Sequence, residues 1–490
     1  MKFIWSYMRK HIWAIILVLL MKSVATVLEL FLPYILEYMI DTVAPTKNVR
    51  MILLWGGIML SVAIITRFIS VGANRGSVRI ARKCIYKVRQ DLFTKSINLS
   101  GDQMDDVGLP SLISRMTSDS YNVQSFMQIT QTIAIRAPFL LFGGIIITLT
   151  MDTGLALVLI ILAPILLVAV VIISRKGIPL YDIVQTKLDN VVRIMRENIT
   201  GIRVVKALSK EEYEKRRFSN ANESMSRSEI KASVVMSLPG PVISLAMNIG
   251  LTLVVLFGAY RVNKGVTQPG VILAFLSYFQ MILMGVLILN RFFLNMSKAN
   301  ASANRISSVM NQPEGLERVE EGAKAPSDDY IIFDNVSFTY NGSVSQTSSA
   351  AFAGGSREKT LKDISFRIPR GGSLGIIGAT GSGKTTVLNL LMRFYDPQEG
   401  HVFIDGRDVR TYELDKLRRH FGVVFQNDAI FADTIAENLS FGRDVSHDEM
   451  KSAAWNAMAG EFIEDYDDQY EHEAAIHGAN FSGGQKQRLL

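Results

Sequence analysis

The sequence predicts an α-helical membrane domain of six transmembrane helices, followed by a soluble α/β domain. The first reason is composition: 49% of the 490 residues are hydrophobic and only 20% are charged, whereas soluble proteins carry about 25% charged residues. The second is charge asymmetry, because residues 329–490 hold 16 Lys and Arg against 23 Asp and Glu, while residues 1–328 hold 36 against 22. The chain is also longer than one compact domain.

Six apolar runs reach the length of about 20 residues that a bilayer-spanning helix needs. The connections 75–129 and 175–231 are long, keep a helical periodicity, and hold 8 and 13 Lys and Arg respectively. Because basic connections stay in the cytosol, we expect the N-terminus, both connections and the residues after the sixth span to be cytosolic. The predicted spans are 12–34, 51–71, 130–151, 153–174, 232–260 and 265–290.

The net charge of +7 does not indicate a nucleic-acid partner, because the basic residues lie between apolar runs. The single cysteine, Cys84, excludes an intrachain disulfide and a cysteine-rich metal site. We therefore expect a multi-pass protein of the cytoplasmic membrane, in contact with lipid and without nucleic acid.

Two ionisable residues lie in the first predicted span. Lys22 and Glu29 are seven residues apart, which places them two turns apart on one helix face. Ionisable residues inside a span are functional candidates. Either Lys22 neutralises Glu29 at a helix interface, or Glu29 faces a cavity and favours cationic substrates.

The pattern changes after the sixth span. The polar segment 311–328 lacks helical periodicity, and we interpret it as a linker between a membrane domain at 1–310 and a soluble domain at 329–490. From Tyr330 onward, short β-branched strands alternate with turns. A Ser-, Ala- and Gly-rich stretch at 341–360 is typical of a flexible surface loop.

The segment Gly-Ala-Thr-Gly-Ser-Gly-Lys-Thr at 378–385 fits the phosphate-binding pattern G-x-x-x-x-G-K-[ST]. It follows an apolar strand predicted at 374–377 and precedes a helix predicted at 386–394. Glycines let backbone N–H groups approach phosphate oxygens, so we expect ATP here, with Lys384 on the β- and γ-phosphates and Thr385 on Mg²⁺. The expected nucleotide contacts of this loop are Gly378, Thr380, Gly381, Ser382, Gly383, Lys384, Thr385 and Thr386.

A second motif, Phe-Ser-Gly-Gly-Gln at 481–485, follows about 100 residues later. Alone, its serine is explained as a helix cap. Together with the phosphate loop and the six spans, the motif makes the chain resemble a half-transporter of the ABC (ATP-binding cassette) exporter family. The resemblance covers essentially all 490 residues, so the soluble domain is expected to be the family's P-loop nucleotide-binding domain.

The resemblance assigns further site residues. Tyr340 matches the aromatic residue that stacks on adenine, and Gln426 matches the glutamine that contacts Mg²⁺ and stands with Lys384 as a catalytic candidate. The signature is expected to close on the ATP of a partner chain, so that one chain alone makes no complete site. Its contacts are expected from Ser482, Gly483, Gly484 and Gln485.

Two segments resemble the coupling helices that carry motion between the domains of such exporters. They lie near 108–116 and 198–206, midway through the two long basic connections. The alternative is that each is the solvated tip of a helical hairpin.

Some positions depart from the family pattern. Phe481 stands where leucine is usual, and Ile476 stands where the family carries an acidic residue before a basic residue and glycine. These departures favour a heterodimer with a related half-transporter, although a homodimer is possible. The segment 402–405 (Val-Phe-Ile-Asp) imitates a Walker B strand, but Gly406 follows it, and we interpret it as a hairpin.

The resemblance implies ATP-driven export across the cytoplasmic membrane by a dimer, with ATP binding and hydrolysis driving alternating access. The alternative is a non-hydrolysing or weakly hydrolysing ATP-binding subunit that partners an active chain. Small molecules, lipids and peptides all stay open as substrates. The family's Walker B strand, catalytic glutamate and switch histidine are expected after residue 490, where the nucleotide-binding domain would continue.

Overall fold

Two predicted features fall outside the part of the chain that the structure describes. The stretch 341–359, predicted as a surface loop, and Gln426, predicted as a magnesium contact, lie outside it. The computed structural model describes residues 1–313, 315–340, 360–425 and 429–490.

The described residues form two compact units. The first unit is Met1–Leu99 with Gln103–Gly315, and the second is Ser100–Asp102 with Leu316–Leu490. The main boundary, after Gly315, falls within the segment interpreted as a linker.

Residues 1–313 are almost entirely helical, and six helices are long and apolar enough to cross a membrane, as predicted. The shortest has 42 residues, which corresponds to about 60 Å of helix, twice the roughly 30 Å of a hydrocarbon core. The long helices are α1 (Lys2–Thr46), α2 (Val49–Ile97), α4 (Leu109–Met151), α5 (Thr153–Thr200), α7 (Glu211–Asn263) and α8 (Pro269–Met310). Two short helices lie between them: α3 (Gly101–Val107) and α6 (Ile202–Ala207).

Helices α1 and α2 approach closely because α2 carries glycines at their contact. A Cβ atom at Gly76 would lie 2.7 Å from Cγ2 of Val18, closer than real Cβ atoms come. Ala73 and Val88 of α2 are fully buried in a core that α1, α4 and α8 complete. Small residues thus let the backbones approach at this interface, as is common between membrane helices.

Of the two alternatives for Lys22 and Glu29, the pairing of these residues with each other is wrong. Glu29 Oε1 accepts a hydrogen bond from Arg136 Nη2 of α4 at 2.8 Å. The buried Lys22 instead donates to Ser70 Oγ at 2.8 Å and to Asn74 Oδ1 at 3.3 Å, both on α2. Since neighbouring helices supply the partners of both residues, neither needs the other, and the Glu29 carboxylate already has a cationic partner.

A second charged contact joins α4 to the end of α8. Asp119 is almost fully buried and accepts hydrogen bonds from Ser302 Oγ and from Arg305 Nε, each at 2.9 Å. Arg305 keeps about half of its side chain in solvent. The pair therefore holds the two helices together through one buried carboxylate.

The second unit contains a four-stranded antiparallel sheet of order β2-β1-β3-β4. Its core includes Phe333 and Phe338 of β1 and Val402 of β3. The strands are β1 (Ile331–Phe338), β2 (Leu361–Ile368), β3 (Glu399–Ile404) and β4 (Arg407–Asp408). The helices are α9 (Lys384–Leu391), α10 (Leu414–Arg418), α11 (Ile435–Ser440), α12 (His447–Asn456), α13 (Gly460–Glu464) and α14 (Gly483–Leu489).

The prediction of a β-strand at 374–377 is wrong. These residues have no regular secondary structure, and Ile377 is 98% exposed. A strand requires a neighbour to accept and donate its backbone hydrogen bonds, and none of the described strands pairs with this segment. Its apolar sequence alone therefore does not make it a strand.

The Asp119–Arg305 contact predicts a difference in stability between two variants. Arg305→Met leaves a buried carboxylate without its cation, and we expect a loss of about 3 kcal/mol, measured as a lower unfolding temperature of the purified chain in detergent. Arg227→Met removes an exposed pair with Glu223 and is expected to cost less than about 1 kcal/mol. Equal unfolding temperatures for the two variants would contradict the structural role of Asp119.

Candidate functional site

The glycine-rich loop at 378–383 leads directly into α9. Gly381 and Gly383 have φ angles of +85° and +89°, a region that side-chain-bearing residues rarely adopt. A Cβ atom at Gly383 would also lie 2.6 Å from Cδ2 of Leu361. These positions therefore require glycine, which supports the prediction of a tight loop with accessible backbone.

Lys384 closes this loop. Its Nζ atom donates hydrogen bonds to the carbonyl oxygens of Gly378 at 2.9 Å and Ala379 at 2.8 Å. Among the described residues, no carboxylate forms an ion pair with Lys384. Since bonds between a cation and an anion are stronger than bonds to neutral carbonyls, this ammonium is suited to a phosphate group.

The two threonines at the start of α9 have different surroundings. Thr385 is exposed, and its hydroxyl has no hydrogen-bond partner among the described residues. Thr386 is 4% exposed, and its Oγ1 accepts a hydrogen bond from the Tyr340 hydroxyl at 3.1 Å. Thr385 is thus available to an external ligand, whereas Thr386 holds Tyr340. Thr380 and Ser382 of the same loop are also exposed.

Tyr340 is held by contacts that the sequence analysis did not identify. Its hydroxyl accepts from Asn389 Nδ2 at 3.1 Å, and its ring lies edge-on to Tyr395 at 5.1 Å between centroids. Asn389 is a polar residue in an otherwise apolar part of α9, and it lies one turn after Thr386. That spacing was the available sequence signal, because residues three apart share a helix face.

The signature motif begins α14. Ser482 Oγ accepts from the Gln485 N–H at 3.3 Å, and Gln485 Oε1 accepts from the Ser482 N–H at 2.8 Å, which is a capping box. Both side chains therefore cap the helix, as the simpler explanation predicted for the serine. A Cβ atom at Gly483 or Gly484 would meet no atom within 4 Å, so their backbone groups are open to approach.

Phe481 has a structural explanation. It is 6% exposed and lies among the rings of Phe462, Tyr466 and His472, at centroid distances of 6.1 to 6.5 Å. The rings of Tyr466 and His472 are parallel at 3.9 Å. The larger side chain at this position thus anchors the start of the signature in an aromatic cluster.

Ile476, by contrast, is 72% exposed. The next residue, His477, has a φ angle of +57°, and its carbonyl accepts from Lys486 Nζ at 2.9 Å. An apolar side chain is therefore presented to solvent where the resembling family carries an acidic one.

Asp405, the acidic residue of the Walker B-like segment 402–405, lies in a turn, in agreement with the interpretation of this segment as a hairpin. Asp405 follows β3, has a φ angle of +50°, and accepts from Arg370 Nη2 at 2.7 Å on the surface. The buried carboxylate of this hairpin is Asp408. Burial by itself raises the pKa of Asp408, but hydrogen bonds from Arg410 and His401 outweigh burial and hold its pKa below the usual range.

The two predicted coupling segments both contain a helix start. Within 108–116, Gly108 has a φ angle of +74° and α4 begins at the next residue. Within 198–206, Gly201 separates α5 from α6, and Val204 of α6 is 61% exposed.

The sequence analysis did not identify Gly101, which precedes the first predicted coupling segment. Gly101, which belongs to the second unit, donates its N–H to the Phe394 carbonyl at 3.1 Å. A Cβ atom there would lie 2.5 Å from the ring of Tyr395. This close approach explains a glycine at position 101, seven residues before the first predicted segment.

The predicted site residues of the second unit thus form two separate groups. The first group contains Tyr340 and the glycine-rich loop, which are joined by the hydrogen bond between the Tyr340 hydroxyl and Thr386. The second group is the signature at 481–485. No hydrogen bond joins 378–386 to 481–485 within the described part of the chain. Clusters of three or more His, Cys, Asp and Glu residues that could hold a metal ion are likewise absent from the described residues.

Comparisons with known proteins match both halves of the chain. The family described as the ABC transporter transmembrane region matches residues 15–287, and the family described as ABC transporter matches residues 361–490. An uncharacterized ABC transporter ATP-binding protein of Mycobacterium tuberculosis is 31% identical over 99% of this chain and 82% of its own length. The uncharacterized ABC transporter ATP-binding protein YfiB of Bacillus subtilis is 30% identical over 97% of this chain and 80% of its own length.

The resemblance inferred from the motifs is therefore confirmed. Membrane-length helices and an ATP-binding domain occur in one chain, in the order that half-transporters have. The chain belongs to the ABC transporter family.

Proposed function

We propose that this chain is one half of a dimeric exporter that uses ATP to move a substrate out of the cytosol. The observation that carries the proposal is the glycine-rich loop with Lys384 at its end, in a chain with six membrane-length helices. The long, basic connections at 75–129 and 175–231 support a cytosolic position for the ATP-binding domain. The substrate class is open between small molecules, lipids and peptides.

The loop residues fit a nucleoside triphosphate. The backbone amides of 378–383 and the Lys384 ammonium would hold the β- and γ-phosphates, and the Tyr340 ring would stack on adenine. The exposed Thr385 hydroxyl and Gln426 would bind Mg²⁺, which neutralises phosphate charge when present. When the nucleotide binds, the Lys384 ammonium would give up its hydrogen bonds to the carbonyl oxygens of Gly378 and Ala379 and donate to phosphate oxygens instead.

The signature acts on the nucleotide of a second chain in this proposal. The Ser482 hydroxyl and the open amides of Gly483 and Gly484 would donate to the γ-phosphate, with Gln485 keeping the helix start in place. Fixed donors are effective because they need no reorganisation when the charge arrives. ATP would then hold two chains together, and hydrolysis would release them.

The closure of two ATP-binding domains would be passed to the membrane helices through the segments near 108–116 and 198–206. Short helices at domain faces transmit rigid-body movement because packed interfaces switch between discrete arrangements. The exposed apolar side chain of Val204 suits such a contact. The resulting alternating access would open a substrate-binding cavity between the membrane helices to the outside.

A second candidate function is an ATP-binding subunit that hydrolyses weakly or not at all and completes the site of an active partner. The exposed Ile476, in the place of the family's acidic residue, favours this asymmetric assembly. The intact serine and glycines of the signature mean that this chain would serve the competent site of a heterodimer.

The phosphate-loop assignment predicts that Lys384→Ala weakens ATP binding and abolishes transport. Hydrogen bonds to charged groups contribute about 1.5–3 kcal/mol, so we expect the Kd for ATP to rise about 10- to 150-fold, measured with a fluorescent nucleotide on the purified chain. Lys416→Ala, which removes an exposed lysine paired with Glu413, is the matched control and should leave the Kd unchanged. An unaltered Kd for Lys384→Ala would disprove the assignment.

The signature assignment predicts that Ser482→Asp lowers ATP hydrolysis about 100-fold or more in the assembled transporter. Aspartate caps a helix as well as serine, so the variant keeps α14 but places a negative charge near the γ-phosphate. Ser446→Asp makes the same change in the capping box of α12 and should hydrolyse ATP normally. If Ser482→Asp retains wild-type ATPase activity, the signature does not contact the nucleotide.

The heterodimer proposal predicts little ATPase activity from this chain alone. The tagged chain is purified without a co-expressed homologue, placed in lipid, and its hydrolysis is measured with and without a second half-transporter. Stimulation by the second chain is the expected result. Robust, substrate-stimulated hydrolysis by the single chain would mean a working homodimer.

A further inference from the structure

Three arginines form a stripe on the exposed side of α2. Arg75, Arg79 and Arg82 are all exposed, and their spacing of four and three residues places them on one helix face. With Asn74 and Val78 they line a shallow concave surface of about 330 Å³. This arginine stripe is turned away from the protein core, because the opposite face of α2 is buried. The buried residues of that face include Ala73, Ser77, Ile80 and Cys84.

The arginine stripe has no negative partner in the described part of the chain. None of its three guanidinium groups forms an ion pair or a hydrogen bond with the described residues. Helix α2 contains no Asp or Glu from Val49 to Gln90, and the acidic residue that follows, Asp91, is paired with Lys87. Like charges one helical turn apart repel each other, so an anion bound between these arginines would stabilise them.

The position of the stripe along α2 matches the headgroup layer of a membrane. The apolar run predicted to span the bilayer ends at Val71, and Arg75 and Arg82 follow it by about 6 Å and about 16 Å of helix. The headgroup layer of one leaflet is about 5–8 Å thick, and helix tilt reduces the depth of each residue.

The direction of α2 brings the charged groups closer to that layer. Side chains of a helix lean toward its N-terminus, and in the proposed topology α2 starts at the outer side and runs toward the cytosol. The guanidinium groups of the stripe therefore lean back toward the membrane, as long basic side chains at the ends of spans do.

We propose that the arginine stripe of α2 binds the phosphate groups of anionic lipids in the inner leaflet. A guanidinium group presents paired N–H donors that match two oxygens of a phosphate, and basic residues beside a span are attracted to the negative surface of the cytosolic leaflet. Bound lipid holds this part of α2 at the membrane surface. The inference takes only the cytosolic position of the connection 75–129 from the proposed function.

Two other occupants fit the stripe less well. A symmetric contact with a second copy of this chain would bring the same arginines together, and like charges across an interface repel each other. An acidic segment of a soluble protein would have to reach arginines that lean against the headgroups, where lipid phosphates are already concentrated. The charge and the depth of the stripe together favour lipid.

The test compares two fluorescent lipids with the same acyl chains, anionic phosphatidylglycerol and zwitterionic phosphatidylcholine. Their equilibrium binding to the purified chain is measured in detergent, and we expect phosphatidylglycerol to bind at least about tenfold tighter. The triple variant Arg75→Gln, Arg79→Gln, Arg82→Gln should lose this preference, because each basic residue near the headgroups contributes about fivefold in Kd, or about 1 kcal/mol.

A matched triple variant removes three exposed arginines that lie far from the membrane. Arg193→Gln, Arg196→Gln, Arg216→Gln changes the connection 175–231, roughly 24 Å or more of helix beyond the predicted spans, and should keep the wild-type preference. Unfolding temperatures establish that both variants are folded. Equal affinity of wild type for the two lipids, or an unchanged preference in the stripe variant, would overturn the proposal.

Two competitors identify the source of the anion. Glycerol 3-phosphate carries the phosphate without acyl chains, and polyglutamate carries the charge of an acidic protein segment. Unlabelled phosphatidylglycerol should displace the fluorescent lipid at concentrations at which neither competitor does. Displacement by either competitor at the same concentration would mean that the stripe binds a free phosphate or an acidic segment, and would contradict a lipid site.

Lipid binding is measured without nucleotide, so the test separates this inference from the proposed function. Absence of the lipid preference in a chain that still transports with ATP would refute the lipid site alone. Binding that depends on the arginine stripe, in a chain that does not transport, would refute the export proposal alone.

Discussion

The helical unit depends on the pairing of charges between helices. A charge in a low-dielectric interior is costly unless an opposite charge lies beside it, so each buried ionic group fixes the position of the helix that carries its partner. Arg136 joins α4 to Glu29 of α1, and Arg261 of α7 donates to Asp152 at the start of α5 at 2.9 Å.

The ATP-binding unit instead fixes its motifs through short local contacts. Thr386 and Asn389 of α9 both bond the Tyr340 hydroxyl, so the helix that follows the phosphate loop also positions the aromatic ring. At the signature, the capping box of Ser482 and Gln485 sets the start of α14. Three of the predicted ligand-binding residues, Thr386, Ser482 and Gln485, therefore have structural roles as well, and the ligand would use groups that already have a fixed geometry.

Structural features that depend only on residues close together in the sequence were predicted correctly. The six membrane-length helices follow from apolar runs, because hydropathy acts over about 20 consecutive residues. The glycine-rich loop was predicted from its sequence pattern, and in the structure Gly381 and Gly383 adopt positive φ angles that few other residues tolerate. The hairpin at Asp405 was predicted because Gly406 follows it where a Walker B strand would have glutamate, and because similar exporters have this turn as a surface hairpin.

The sequence by itself thus determined the order of the domains, the number of membrane-length helices and the positions of the motifs. Only the tertiary structure decided which side chains meet. Lys22 and Glu29 share a helix face, yet each is bound by a different neighbouring helix, and the apolar segment 374–377 forms no strand because no described strand lies beside it. Ion pairs and sheet hydrogen bonds join residues far apart in the chain, so local pattern cannot specify them.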